Sequence, residues 1–550
     1  MTSTNGNGGS GASLRDPELD RTRLRAVHAA LTSGDIATAG KLAEDALGDG
    51  IDHPMVLNLV AGRREEEGRL EEALGLLRRA LAAAPEAIGV MNAIGLALNR
   101  MGRFEEAVAA YSEALAKAPD FAPALANRAT ALMALARLNA ARADYEAAAR
   151  SDPGNLLAAN GLAALALRRG DPAEALRQAE AVLAREPGFP GAVTTLAGAD
   201  IAEGRPAAAE AALGELLQDQ RLDPVDRAMA WGLRGDALDA QGQFHDAFAA
   251  WRESNALQRA YYAADYAERP GTLALVRDLT AALAGRRVAA AWGHGGRSPA
   301  KSHVFLVGFP RSGTTLLEQV LEEHPDVTTL AEKECLIDAT RDWLADAGRF
   351  AAFCAADDDA LEPYREAYWR RVAEEGADPA GRVFVDKHPF NTFKLPLIAR
   401  LFPDARVLFA RRDPRDIALS CFRHRFQMTD PVWQMLTLEG VAALYDATMQ
   451  MVEASEEAFG LFTHPVQLEA LIADFDRETK AVCNFIGIAW DEGMRDFAAG
   501  VKERGVFTPS GPQLAQGLNA QGVGKWHDYE AEMAPVLGVL APWVERFGAS

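Results

Sequence analysis

Positive charge is scarce in this chain: 57 Lys and Arg stand against 78 Asp and Glu, a formal net charge of −21 over 550 residues. That excludes a general nucleic-acid binder, which needs a basic surface to displace phosphate counterions, and leaves room only for a local basic cleft. Cysteine is also rare. The four present, Cys335, Cys354, Cys421 and Cys483, form no CxxC pair, so neither a disulfide framework nor a zinc site is expected and a reducing compartment is. No apolar run approaches the roughly 18 residues a membrane span needs, so no integral membrane segment is expected. The opening MTSTNGNGGSGAS has no apolar core of the kind a secretory signal carries. Residues 1–19 are read as a disordered tail and the cytoplasm as the expected location.

Hydrophobic residues at 49% and charged residues at 25% suit a soluble globular protein, and 550 residues exceed one ordinary core. From about 20 to 262 the chain is rich in Ala and Leu with helical apolar spacing. Gly34, Gly68, Gly102, Ala136, Gly170 and Gly204 follow one another at steps of 34 residues, and Pro85, Pro119, Pro153 and Pro187 repeat the same step. Each unit reads as two antiparallel helices, with a small residue at the turn and Pro closing the unit because it cannot continue a helix. The pattern resembles the tetratricopeptide repeat. Gly242 fits a seventh turn displaced by four residues. Stacked pairs offer a concave face of the kind that binds polypeptides, so protein partners are expected there. The period is lost over 263–302, where GHGGRSPAKS reads as a linker.

HVFLVG, residues 303 to 308, reads as a buried strand of a parallel sheet, followed by FPRSGTT and the helical stretch LLEQVLEEHPDV. Strand, glycine loop and helix aim backbone N–H groups at an anion. Gly308-Phe309-Pro310-Arg311-Ser312-Gly313-Thr314-Thr315 has the spacing of a nucleotide triphosphate loop, with Thr314 where an ATPase or GTPase carries Lys. That departure disfavours NTP hydrolysis. The alternative is that the two glycines merely make a turn.

PRSGTT, then HPDV, then ARRDPRDIALS about a hundred residues on, resembles the PAPS-dependent sulfotransferases over roughly residues 300 to 540. The resemblance is greatest to the protein-tyrosine sulfotransferase group and to bacterial proteins that join tetratricopeptide repeats to a sulfotransferase domain. It implies that Arg311, Ser312, Gly313, Thr314 and Thr315 cradle the 5′-phosphosulfate. It also implies that Arg412 and Ser420 bind the 3′-phosphate, by charge-assisted and hydroxyl hydrogen bonds. The alternative for Arg412 is a structural pair with Asp413. By the same resemblance Glu332 is the catalytic base, with Glu334 as fallback, and Ala331 stands where relatives often have Gly. Lys387 is a catalytic cation that stabilises developing charge together with Arg311. His388 is a further candidate base, or a turn residue beside Pro389. Ser510, in Thr508-Pro509-Ser510, and Lys525, in Gly524-Lys525-Trp526, resemble the segment that covers the nucleotide. Leu468 replaces the Tyr that relatives often place before Glu.

The expected architecture is α plus α/β: a tetratricopeptide helical superhelix over 20–262, a linker over 263–302, and a P-loop-like α/β domain with a parallel sheet over 303–550. The expected activity is transfer of a sulfuryl group from PAPS to an acceptor hydroxyl on a polypeptide such as a protein tyrosine, on a glycan, or on a small molecule, with no metal. A P-loop kinase or NTPase, or a repeat-based binding protein with an inactive nucleotide domain, are the rivals.

Overall fold

The computed structural model describes residues 17–135, 137–288, 298–504, 514 and 517–548. Fourteen helices run from Pro17 to Tyr261 in antiparallel pairs. The glycine ladder is physical: Gly34, Gly68, Gly102, Gly170, Gly204 and Gly242 all have φ between 72° and 78°. At Gly102 the amide bonds the Asn99 carbonyl (3.1 Å) and the next amide, of Arg103, bonds Leu98 (2.9 Å). This double bond pattern closes a helix through a left-handed residue, which glycine adopts without steric cost. Ala136 lies outside the described residues. Within pairs, small residues admit large rings. A Cβ on Gly95 would lie 2.4 Å from Tyr111, and one on Gly235 would lie 2.4 Å from Trp251.

By internal contact the chain forms two compact units, one of residues 1–158 with 262–265 and one of 159–261 with 266–550. The expected boundary at 262 to 303 follows sequence pattern, whereas packing places the later repeats with the α/β domain. The reason is visible at the last helix pair, Pro224–Ala240 and Phe244–Tyr261. Phe248 stacks on Phe422 with centroids 4.8 Å apart, and the Asn255 side-chain amide donates to the Phe422 carbonyl (2.9 Å). The span read as a linker also contains a helix, Thr272–Leu283, which buries Val276, Leu279 and Leu283 and packs on the long helix Leu438–Phe459.

The α/β domain carries five parallel strands: β1 Ser302–Gly308, β2 Val327–Ala331, β3 Val383–Lys387, β4 Arg406–Arg411 and β5 Thr463–Gln467. Their order is β2-β3-β1-β4-β5, so the chain first builds to one side of β1 and then crosses to the other. Strands covered on both faces must be apolar throughout, and Val304, Phe305, Leu306 and Val307 are accordingly all buried. Among the described residues no helix is long and apolar enough to cross a membrane.

Candidate active site

Four segments meet where four strands end. β1 runs into the loop 309–313, β2 into Glu332, β3 ends on Lys387, and β4 leads to Arg412. In open parallel sheets this edge, at the point where strand order reverses, is where ligand crevices form. A cavity of about 220 Å³ opens there, lined among others by Arg311, Gly313, Thr314, Thr315, Glu332 and Arg412.

The loop is shaped by residues with no freedom to change. A Cβ on Gly308 would stand 2.5 Å from Ser312 Oγ and 2.7 Å from the Ala410 carbonyl oxygen. The Thr392 hydroxyl accepts from Gly308 N and donates to Gly308 O, both at 2.9 Å, and so pins the end of β1. Gly313, at φ 99°, starts the helix Thr314–Glu322, whose first amides face the cavity end. Among the described residues two non-glycines have left-handed backbone, Arg311 (φ 70°) and Glu332 (φ 51°). Such a conformation costs on the order of 1–3 kcal/mol and persists where function is built in. Ala331 remains an ordinary strand residue, and the left-handed step falls on Glu332 itself.

Charge is concentrated around Lys387. Its Nζ lies 2.6 Å from Glu332 Oε1 and 3.1 Å from Glu318 Oε2. Lys387 is fully buried (0%), Glu318 nearly so (2%), and the Glu332 side chain is half-exposed to the cavity (47%). Burial works against the lysine's charge, but the two carboxylates outweigh it and hold Lys387 above its ordinary value. Burial pushes Glu318 up to about 7 although Lys387 opposes it. Enclosure also raises Glu332, yet the charge and hydrogen bond of Lys387, with His388 and Arg311 behind them, leave it below its ordinary range. Burial lowers Arg311 to about 10, which keeps it cationic at neutral pH.

On the other flank, Arg311 Nε donates to Ser420 Oγ (3.1 Å), and Arg412 Nη1 donates to the Arg311 carbonyl (3.2 Å). Arg412 and Ser420 therefore both meet the chain at Arg311. The pairing of Arg412 with Asp413 is not formed: Asp413 is taken by Arg415 at 2.6 Å, while Arg412 bonds the Gly522 carbonyl and lies 3.8 Å from Asp416. Among the described residues Ser312 Oγ (residue 1% exposed) and Arg412 Nε are buried without a hydrogen-bond partner. Buried donors are normally satisfied, so two orphans beside a helix N-terminus fit an anionic group such as a nucleotide phosphate.

The remaining candidates separate. Glu334 is bound to His388 Nε2 (3.0 Å) and to Lys394; burial raises it, but these partners hold it far below its ordinary value. His388 Nδ1 accepts from the Phe390 amide (3.2 Å), capping the turn Pro389–Lys394, so the ring performs the turn role and leaves no free nitrogen for a base. Lys525 is not brought to the cavity. It pairs with Asp239 (3.0 Å) and Asp528 (2.9 Å) and lies over the Phe244 ring (4.4 Å). Ser510 lies outside the described residues. Leu468 packs against the loop, where a Cβ on Gly313 would come within 3.0 Å of it. Sequence reasoning missed Glu318 and Asp416. The signal for Glu318 is an acid set inside the otherwise mostly apolar run Leu316–Leu321, unlike Glu322 at the end of the same helix.

Residues 303–492 match the model of the sulfotransferase family, and residues 65–127, 126–192 and 166–232 match tetratricopeptide repeat models. The chain thus joins a sulfotransferase-family domain to tetratricopeptide repeats. Among its relatives, protein-tyrosine sulfotransferase 1 of Danio rerio is 23% identical over 263 residues, covering 44% of this chain and 71% of that protein. An uncharacterized protein of Aquifex aeolicus is 24% identical over 257 residues, and the match spans 44% of this chain and 32% of the Aquifex protein. Among solved structures, a tetratricopeptide repeat protein from Parabacteroides merdae is similar at 19% identity, covering 44% of this chain and 93% of that one, with a TM-score of 0.36.

Proposed function

We propose that the protein transfers a sulfuryl group from PAPS to an acceptor hydroxyl and releases adenosine 3′,5′-bisphosphate. The observation that carries this reading is that Arg311 and Glu332 line one cavity, with the buried Lys387 paired to Glu332 behind it, at a loop that has Thr314 in place of the NTPase lysine. The donor phosphosulfate would lie against the loop amides and Ser312, with the 3′-phosphate at Arg412 and Ser420. As the acceptor oxygen bonds to sulfur, the bond from sulfur to the bridging oxygen breaks, and the acceptor proton passes to Glu332. Lys387 and Arg311 stabilise the charge that gathers on the sulfuryl and bridging oxygens. This mechanism routes no step through a metal.

The acceptor we propose is a polypeptide hydroxyl, tyrosine foremost, with a glycan hydroxyl as the second class. Relatives bearing the name protein-tyrosine sulfotransferase and the repeats, an architecture used to hold proteins, support it. We place the reaction in the cytoplasm, a location that suits four free cysteines. Incubation with sulfur-labelled PAPS and an extract of the source cell tests the acceptor class. Label in protease-sensitive material supports a polypeptide, and label only in protease-resistant carbohydrate or small molecules contradicts it.

A further inference from the structure

The repeat helix Pro224–Ala240 ends beside the segment that follows the cavity wall at Gly522 and Val523. One carboxylate there, Asp239, joins three parts of the chain. Its Oδ1 accepts from the Tyr529 hydroxyl (2.5 Å) and lies 3.0 Å from Lys525 Nζ, and its Oδ2 lies 3.1 Å from Arg423 Nη1. The side chain is 11% exposed, so these donors replace most of its water. Tyr529 and Lys525 belong to the closing segment, and Arg423 ends the helix Pro414–Arg423, which carries Ser420.

That segment is gripped from its other side by Asp416, whose carboxylate accepts from Gly524 N (2.7 Å) and Trp526 N (3.0 Å). Asp416 in turn lies 3.8 Å from Arg412, and Arg412 bonds the Gly522 carbonyl. An unbroken polar chain therefore runs from a repeat residue, through the closing segment, to the arginine whose Nε is unpartnered at the cavity. Lys525 divides its charge between Asp239 of the repeat and Asp528 of its own segment.

We propose that Asp239 is a positioning residue of the donor site: it fixes residues 522–529 and, through Asp416, the orientation of Arg412. The proposal rests on the donor reading above. The last repeat pair is on this account part of the nucleotide site, in addition to any role the array has in holding acceptors. Positioning groups that lock a binding side chain in place contribute to affinity by preorganisation.

Asp239→Asn in the full chain removes the charge and keeps the size, and Tyr529→Phe removes one donor to the same carboxylate without touching its charge. Amide exchange at Gly524 and Trp526 reads the clamp with no nucleotide present, and is expected to speed at least tenfold in Asp239→Asn and severalfold in Tyr529→Phe. Titration with adenosine 3′,5′-bisphosphate is expected to show Kd raised about tenfold in Asp239→Asn, with kcat at saturating donor and acceptor KM within about twofold of parental. Asp239→Glu is expected to recover much of the donor affinity. Unchanged exchange at both amides, or a lowered kcat with unchanged donor Kd, overturns the proposal, because a merely structural role moves the active fraction and leaves affinity alone. If the parental protein does not bind the nucleotide while exchange still rises in both variants, the donor reading fails and the clamp stands. If Asp239→Asn does not fold, Tyr529→Phe with unchanged exchange and Kd is enough to overturn it.

Discussion

Lys387 holds Glu332 in an ion pair, with 2.6 Å between ammonium nitrogen and carboxylate oxygen, while Glu318 braces the lysine from the buried side at 3.1 Å. The group proposed as base is thus tied to the group proposed as electrophilic cation. Lys387 meets Glu332 through Oε1, so in the proposed transfer the acceptor proton falls to Oε2.

Glu332→Gln is expected to retain donor binding and fold while turnover falls by about 10²–10⁴-fold, since an amide fills the space without taking the proton. Glu334→Gln, by contrast, loosens His388 and Lys394 and is expected to cost less than tenfold. Steady-state rates with saturating donor check both. Near-parental turnover of Glu332→Gln with loss in Glu334→Gln reverses the assignment.

Because Lys387 keeps Glu332 below its ordinary value of 4.5, the acid limb of kcat/KM should lie under pH 4.5, with the base ionised across the neutral range. A limb near pH 6 or 7 in the profile, with the fold intact by circular dichroism, contradicts that state of the free enzyme.

Arg412→Ala is expected to weaken adenosine 3′,5′-bisphosphate about tenfold or more, as loss of a charge-assisted bond worth roughly 1.5–3 kcal/mol requires. Adenosine 5′-phosphate should change much less. Equal weakening of the two in calorimetric titration removes Arg412 from the 3′-phosphate.

Beneath Lys387, Asp386 is wholly buried and accepts from the Tyr368 hydroxyl (2.9 Å), which lies 2.9 Å from His303 Nε2. Burial raises its carboxyl from 3.8 to about 6. Between those values the folded state binds the extra proton, so this residue's contribution to stability falls as pH rises and stays unfavourable above pH 6. Asp386→Asn removes that dependence. Relative to the parental protein it should gain stability between pH 4 and pH 7, by up to about 3 kcal/mol. Denaturation midpoints at the two pH values check this, and an equal difference at both contradicts it.

The glycine ladder was legible because each helix end demands a left-handed residue, and the phosphate loop because Gly308 and Gly313 sit where no side chain fits. Arg311, Glu332, Lys387 and Arg412 were placed by motif and share one corner. What local pattern does not carry is the partner across the fold. Glu318 looks like any solvated helix acid until Lys387 is seen beside it, and Lys525 looks like a nucleotide ligand until Asp239 is. The packing of Phe248, Trp251 and Asn255 on the α/β domain has no local signature either.

That packing sets the outcome of truncation. A fragment of residues 159–550 keeps one compact unit apart from the four residues 262–265, and is expected to fold and bind donor normally while requiring more macromolecular acceptor. A fragment of 298–550 bares Phe422 and Tyr529. At about 1.5–3 kcal/mol for each large apolar side chain uncovered, it should melt several degrees lower or aggregate. Parental melting of the shorter fragment contradicts this, and an unchanged acceptor requirement in the longer one removes the first repeats from substrate selection.

Sulfuryl transfer is tested by incubating the 550-residue chain and an acceptor extract with sulfur-labelled PAPS in one reaction and with γ-phosphate-labelled ATP and magnesium in another. The expected result is sulfur label in acceptor, one adenosine 3′,5′-bisphosphate released per label, no phosphate transfer, and loss of the label in Glu332→Gln. Phosphate transfer from ATP, or nucleotide bound with no sulfate moved to any acceptor fraction, would contradict it.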